Sequence, residues 1–64
     1  MMTNQQTMSA RIARAETIED CDKLDKSLER LWKHGIFNAD AYGTLDAELL
    51  RRRIAIEETT TTEQ

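Results

Sequence analysis

Apolar positions recur at helical intervals along most of the chain, and both of its ends are polar. From Cys21 the pattern is regular. Cys21, Leu24, Leu28, Leu31 and then Gly35 follow one another at three, four, three and four residues, the spacing that lines one face of a helix. Met8, Ile12, Ala15 and Ile18 form an earlier stripe. At about 100° per residue it is turned by more than a third of a circle from the later one. A single helix over about residues 9–34, with Ser9 as its cap, would then touch different things at its two ends. The early segment packs on a second subunit, forms a separate helix, or is a frayed arm; Thr17 with Asp20 three residues later offers a second capped start.

The run from Leu28 to Tyr42 reads as one helix ending and another beginning. Gly35 suits the position just past a helix, where a left-handed backbone costs glycine little, and Lys33 and His34 face the negative helix end. Asn38 is a good cap for the next helix. Phe37 before it and Tyr42 four residues after it fit a hydrophobic staple. A turn over 35–38 and a second helix over about 39–58 follow.

In that second helix Tyr42, Leu45, Leu49 and Ile56 share one face and can meet Leu24, Leu28 and Leu31 of the first. Ala47, Leu50 and Ile54 fall on another side, and Trp32 and Ile36 lie beside the first helix's main stripe. A hairpin partner covers only one side of each helix, so the surplus argues for an interface. Gly43 interrupts the pattern at roughly 1 kcal/mol relative to alanine. It marks either a close helix approach or the end of a short first turn; Tyr42 and Leu45 keep phase across it, which favours continuity.

The fold class this predicts is all-α, a helical hairpin over 9–58 assembled as a homodimeric helical bundle, between flexible tails at 1–8 and 59–64. Its interface set is Cys21, Leu24, Leu28, Leu31, Trp32 and Ile36 on the first helix. On the second it is Tyr42, Leu45, Leu49, Leu50 and Ile54.

Composition narrows the picture. A chain of 64 residues is one domain at most and buries too little apolar surface to be comfortably stable as an isolated hairpin. Its single cysteine and single histidine supply neither a disulfide framework nor a metal site. Cys21 on an apolar face reads as a small buried hydrophobe, with an intermolecular bridge as the alternative. Nine basic and twelve acidic residues are interspersed, for a net charge of −3, and the pairs Glu19/Lys23, Asp22/Lys26 and Glu29/Lys33 mark a solvated helix face. No apolar run approaches the roughly 18 residues of a spanning helix, and the first residues lack signal-peptide character, so a cytoplasmic location without membrane contact is expected.

No catalytic, cofactor-binding or metal-binding set emerges. His34 and Cys21 lie about 20 Å apart along a continuous helix, and no nucleophile, base or ligand cluster has workable spacing. Arg51-Arg52-Arg53 is the sharpest alternative chemistry. With Arg11 and Arg14 it could contact the phosphates of a nucleic acid, although three consecutive arginines spread around a helix and Glu57 and Glu58 follow them.

Gly35-Ile36-Phe37-Asn38-Ala39-Asp40-Ala41-Tyr42, followed by Leu45 and by Glu48-Leu49-Leu50, resembles the short C-terminal two-helix domain known as SHOCT, over roughly residues 24–50. Asn38 stands where that family has a threonine or serine cap, Tyr42 matches its aromatic, and Leu49-Leu50 match its paired leucines. Ala39, Ala41, Gly43, Leu45 and Asp46 depart from it. The resemblance implies a role in oligomerisation or protein contact. In scale and plan the chain is also similar to small bacteriophage accessory proteins and to dimeric two-helix plasmid copy-number regulators. The functional expectation is a small non-enzymatic interaction or oligomerisation module, possessing no cofactor, that pairs with itself or with a host or partner protein. The alternative is a nucleic-acid-binding regulator using Arg51, Arg52 and Arg53.

Overall fold

The computed structural model describes residues 3–62, with side chains through Thr59, and shows three helices with no strand among them. They are α1 (Asn4–Arg14), α2 (Ile18–Lys33) and α3 (Ala39–Thr62). The two-helix hairpin expected from the sequence is therefore corrected to a three-helix fold. One continuous helix over 9–34 does not form because the chain is extended at Ala15 (φ −62°, ψ 131°) and again at Thr17 (φ −132°, ψ 162°). That break removes the angular mismatch between the two stripes. Each helix turns its own apolar face to a common core.

Capping residues explain where the helices start. Thr3 and Gln6 form a reciprocal capping box, Gln6 N donating to Thr3 Oγ1 at 3.1 Å and Thr3 N to Gln6 Oε1 at 2.9 Å. Ser9, expected as a cap, instead lies inside α1, and residues 4–8 of the expected tail are its first turns. Thr17 caps α2 by accepting from Asp20 N at 3.1 Å. Asn38 Oδ1 accepts from Ala41 N at 2.8 Å at the start of α3. At the far end, α3 extends through Thr62, so the expected polar tail from 59 is helical up to there. Met1, Met2, Glu63 and Gln64, also assigned to tails, lie outside the described residues.

Between α2 and α3 the chain ends one helix in a Schellman arrangement. Gly35 has φ +78°, Gly35 N donates to Trp32 O at 3.0 Å, and Ile36 N donates to Leu31 O at 2.9 Å, so two otherwise orphaned carbonyls are satisfied.

Cross-helix contacts set the directions. Asp22 reaches Arg53 and Trp32 stacks on Tyr42, so α2 and α3 are antiparallel; Ser9 meets Glu48 and Ala15 meets Arg52, so α1 runs alongside α3 in the same sense. The result is an up-down-up bundle in which α3 packs against both other helices more extensively than they pack against each other. Met8, Ile12 and Ala15 of α1 join Cys21, Leu24, Leu28, Phe37, Leu45 and Leu49 in one core, flanked by Leu31, Ala41, Tyr42 and Ile56. Thus α1 adds Met8, Ile12 and Ala15 to the seam between α2 and α3, while Trp32, Ile36, Leu50 and Ile54 stay exposed. The hairpin expected as the folding unit is therefore replaced by a three-helix unit.

Candidate functional site

The expected interface set divides cleanly between inside and outside. Cys21, Leu24, Leu28, Leu45 and Leu49 are buried in the domain's own core, and Leu31 and Tyr42 are half-buried at its edge. Among the described residues, Trp32, Ile36, Leu50 and Ile54 are the large apolar side chains left exposed, at 42%, 47%, 57% and 45%. Met8, Ile12, Ala15 and Phe37 also belong to the core. The first three were visible as a stripe whose partner the sequence left open, and Phe37 was visible only as a staple residue.

On α3 the exposed set has order. Gly43, Ala47, Leu50 and Ile54 follow at four, three and four residues and are all exposed, on the side away from Leu45 and Leu49. α3 thus carries apolar residues on faces toward α1 and α2 and on a third face toward solvent. Gly43 lies within the continuous helix, and a Cβ placed there would meet nothing within 4 Å. Among the described residues no neighbour accounts for that glycine.

Trp32 and Tyr42 stack with ring centroids 4.6 Å apart and planes 14° apart, tying the last turn of α2 to the first turns of α3. The Tyr42 phenol is held above the ordinary tyrosine range, first by loss of hydration and then by the negative charge of Asp46.

The arginine triplet is largely occupied by structure. Arg52 Nε donates to the carbonyl of Ala15, the C-cap of α1, at 2.8 Å. Arg53 Nη2 donates to Asp22 Oδ1 at 2.6 Å, and that bond, with the carboxylate's charge, raises the guanidinium's affinity for its proton. Arg51 is exposed and lines a shallow groove of about 390 Å³ between α1 and α3, together with Ser9, Ile12, Glu48 and Arg52. In its wall Ser9 Oγ donates to Glu48 Oε1 at 3.0 Å, while Glu48 Oε2 is buried without a hydrogen-bond partner among the described residues. The three guanidinium groups therefore do not converge on one surface.

Cys21 is a free, fully buried thiol and His34 is exposed at the end of α2. Among the described residues no three His, Cys, Asp or Glu side chains come close enough to hold a metal ion, and no helix is long and apolar enough to cross a membrane. No known family matches this chain, and neither a curated protein nor a solved structure matches it.

Proposed function

We propose that the chain is a small, non-enzymatic protein-interaction or oligomerisation module, an accessory or regulatory protein of bacterial or phage type that works in the cytoplasm. The observation that carries this reading is the apolar third face of α3. The domain satisfies its own core with α1 and still leaves Leu50 57% and Ile54 45% exposed on one helix face, beside Gly43 and Ala47. Their alignment in one row on a face that no other helix of the domain covers is what favours a contact with another macromolecule.

Nucleic-acid binding has weaker support, because Arg52 and Arg53 are committed to Ala15 and Asp22. The test compares wild type with a Leu50→Glu, Ile54→Glu chain, each used as bait in its source cell extract and each measured for self-association. A protein retained by wild type and lost by the variant, or self-association lost by the variant, supports the reading. A wild-type chain that is monomeric and retains nothing overturns it.

A further inference from the structure

Resting on that reading, we infer that the occupant of the third face of α3 is a second copy of this chain, with the two α3 helices antiparallel. The stripe is self-complementary in size. Turned about a point between Glu48 and Leu49, one copy's Gly43 lies opposite the other's Ile54, and Ala47 opposite Leu50, so each layer pairs a small residue with a large one. A parallel, in-register pair would set Gly43 against Gly43 and Ile54 against Ile54. The interaxial distance would then have to widen along the seam.

Charge agrees with self-pairing. At about 100° per residue Asp46 and Arg53 fall on the same flank of the stripe, acid toward one end and base toward the other. Antiparallel copies bring Asp46 of each beside Arg53 of its mate, extending the Arg53–Asp22 bond into a three-residue network. Opposed helix dipoles favour the same orientation. The same rotation sets Asp40 level with the mate's Glu57, two acids at each end of the seam, whose repulsion opposes pairing beyond residues 43–54 and confines the seam to about 16 Å of helix. So short a seam is at the small end of specific interfaces, and the dimer is expected to be weak and concentration-dependent.

Sedimentation equilibrium from micromolar to about millimolar concentration is the first measurement, on the full chain, with Leu50→Glu and a control, Lys26→Ala, on α2's exposed side. Wild type and control should dimerise, and Leu50→Glu should weaken the dimer by at least about tenfold. Because Leu50 is already exposed in the single chain, circular dichroism should show unchanged helix content in that variant. Orientation is read by mixing Gly43→Cys and Ile54→Cys chains, both carrying Cys21→Ala, under mild oxidation. Mixed disulfides support the antiparallel seam; predominance of Gly43→Cys homodisulfides overturns it. A wild-type chain monomeric at the highest concentration overturns self-pairing altogether. If that monomer still retains a cellular protein through Leu50 and Ile54, the interaction reading survives while this inference falls.

Discussion

Arg52 donates through Nε to the carbonyl oxygen of Ala15 at 2.8 Å, so a side chain of α3 closes the end of α1. Ala15 is itself buried in the core, and its carbonyl follows the last helical turn, where helix carbonyls lack intrahelical partners. A charged donor to such a carbonyl is a stronger bond than a neutral one. Arg52→Ala should therefore destabilise the fold by about 1–2 kcal/mol, measured by urea unfolding. Arg51→Ala, with its exposed side chain, should be nearly silent. Equal effects at the two positions would show that the Ala15 bond contributes little.

Met8 and Ile12 are 2% and 3% exposed, as deeply enclosed as Leu49 on the opposite wall. If α1 is part of the domain, Met8→Ala and Ile12→Ala should each lower stability by about 2–5 kcal/mol, comparable to Leu28→Ala. In a domain this small that loss leaves a large unfolded fraction. Thermal unfolding by circular dichroism decides it. A chain truncated before residue 15 that melts like wild type would return the architecture to a hairpin.

Gly43 lies in helix interior with open space around its missing Cβ. Alanine there loses less backbone entropy on folding and clashes with nothing in the single chain, so Gly43→Ala should raise stability by roughly 0.5–1 kcal/mol. The measurement belongs at low micromolar concentration, where any pairing of α3 is minor. A destabilised variant would mean that the glycine serves a close approach already present in the monomer.

Which parts of this fold were legible follows from where the determinants are local. The reversal at Gly35 is written in a glycine at positive φ and in Asn38, whose side chain caps the next helix, and both act within four residues. Continuity of α3 through Gly43 was legible in the phase shared by Tyr42 and Leu45. The break at Ala15–Thr17 was harder. Thr17 and Asp20 signalled a possible start, but no glycine or proline marked a stop, and Ala15 is an excellent helix former whose extended backbone accompanies a carbonyl bonded to Arg52 and a buried side chain. The roles of Arg52 and Arg53 depend on residues 37 and 31 positions away, which no local pattern encodes.

Asp20 is the group that should shape the acid limb of stability. Its carboxylate accepts from Glu16 N at 3.2 Å, and this bond, the largest cause, holds its pKa below the ordinary aspartate range; partial loss of hydration opposes it, and hydrogen bonding to Thr17 and the charge of Lys23 add smaller lowering effects. A depressed folded pKa means that the stabilisation is complete above the unfolded value, near about 4, and is lost as pH falls through the folded one. Asp20→Asn should flatten that part of a pH–stability profile and leave the neutral region's slope unchanged. An identical acid limb in wild type and variant would assign it to other carboxylates.

Tyr42 should report on the α2–α3 junction at the other end of the pH scale. It is the only tyrosine, so its phenolate absorbance is unambiguous. Loss of hydration is the first cause of its raised pKa and Asp46 the second, so folding favours the neutral phenol. The sign is opposite to that of Asp20: the contribution is complete below the unfolded tyrosine value near about 10 and is lost as pH rises through the higher folded value. Native protein should titrate at higher pH than protein in denaturant. Trp32→Ala should move the midpoint back toward the denatured one by uncovering the ring, and Asp46→Asn should move it less, because charge is the smaller cause. A midpoint unchanged by Trp32→Ala would show that the stacked indole does not keep water from Tyr42.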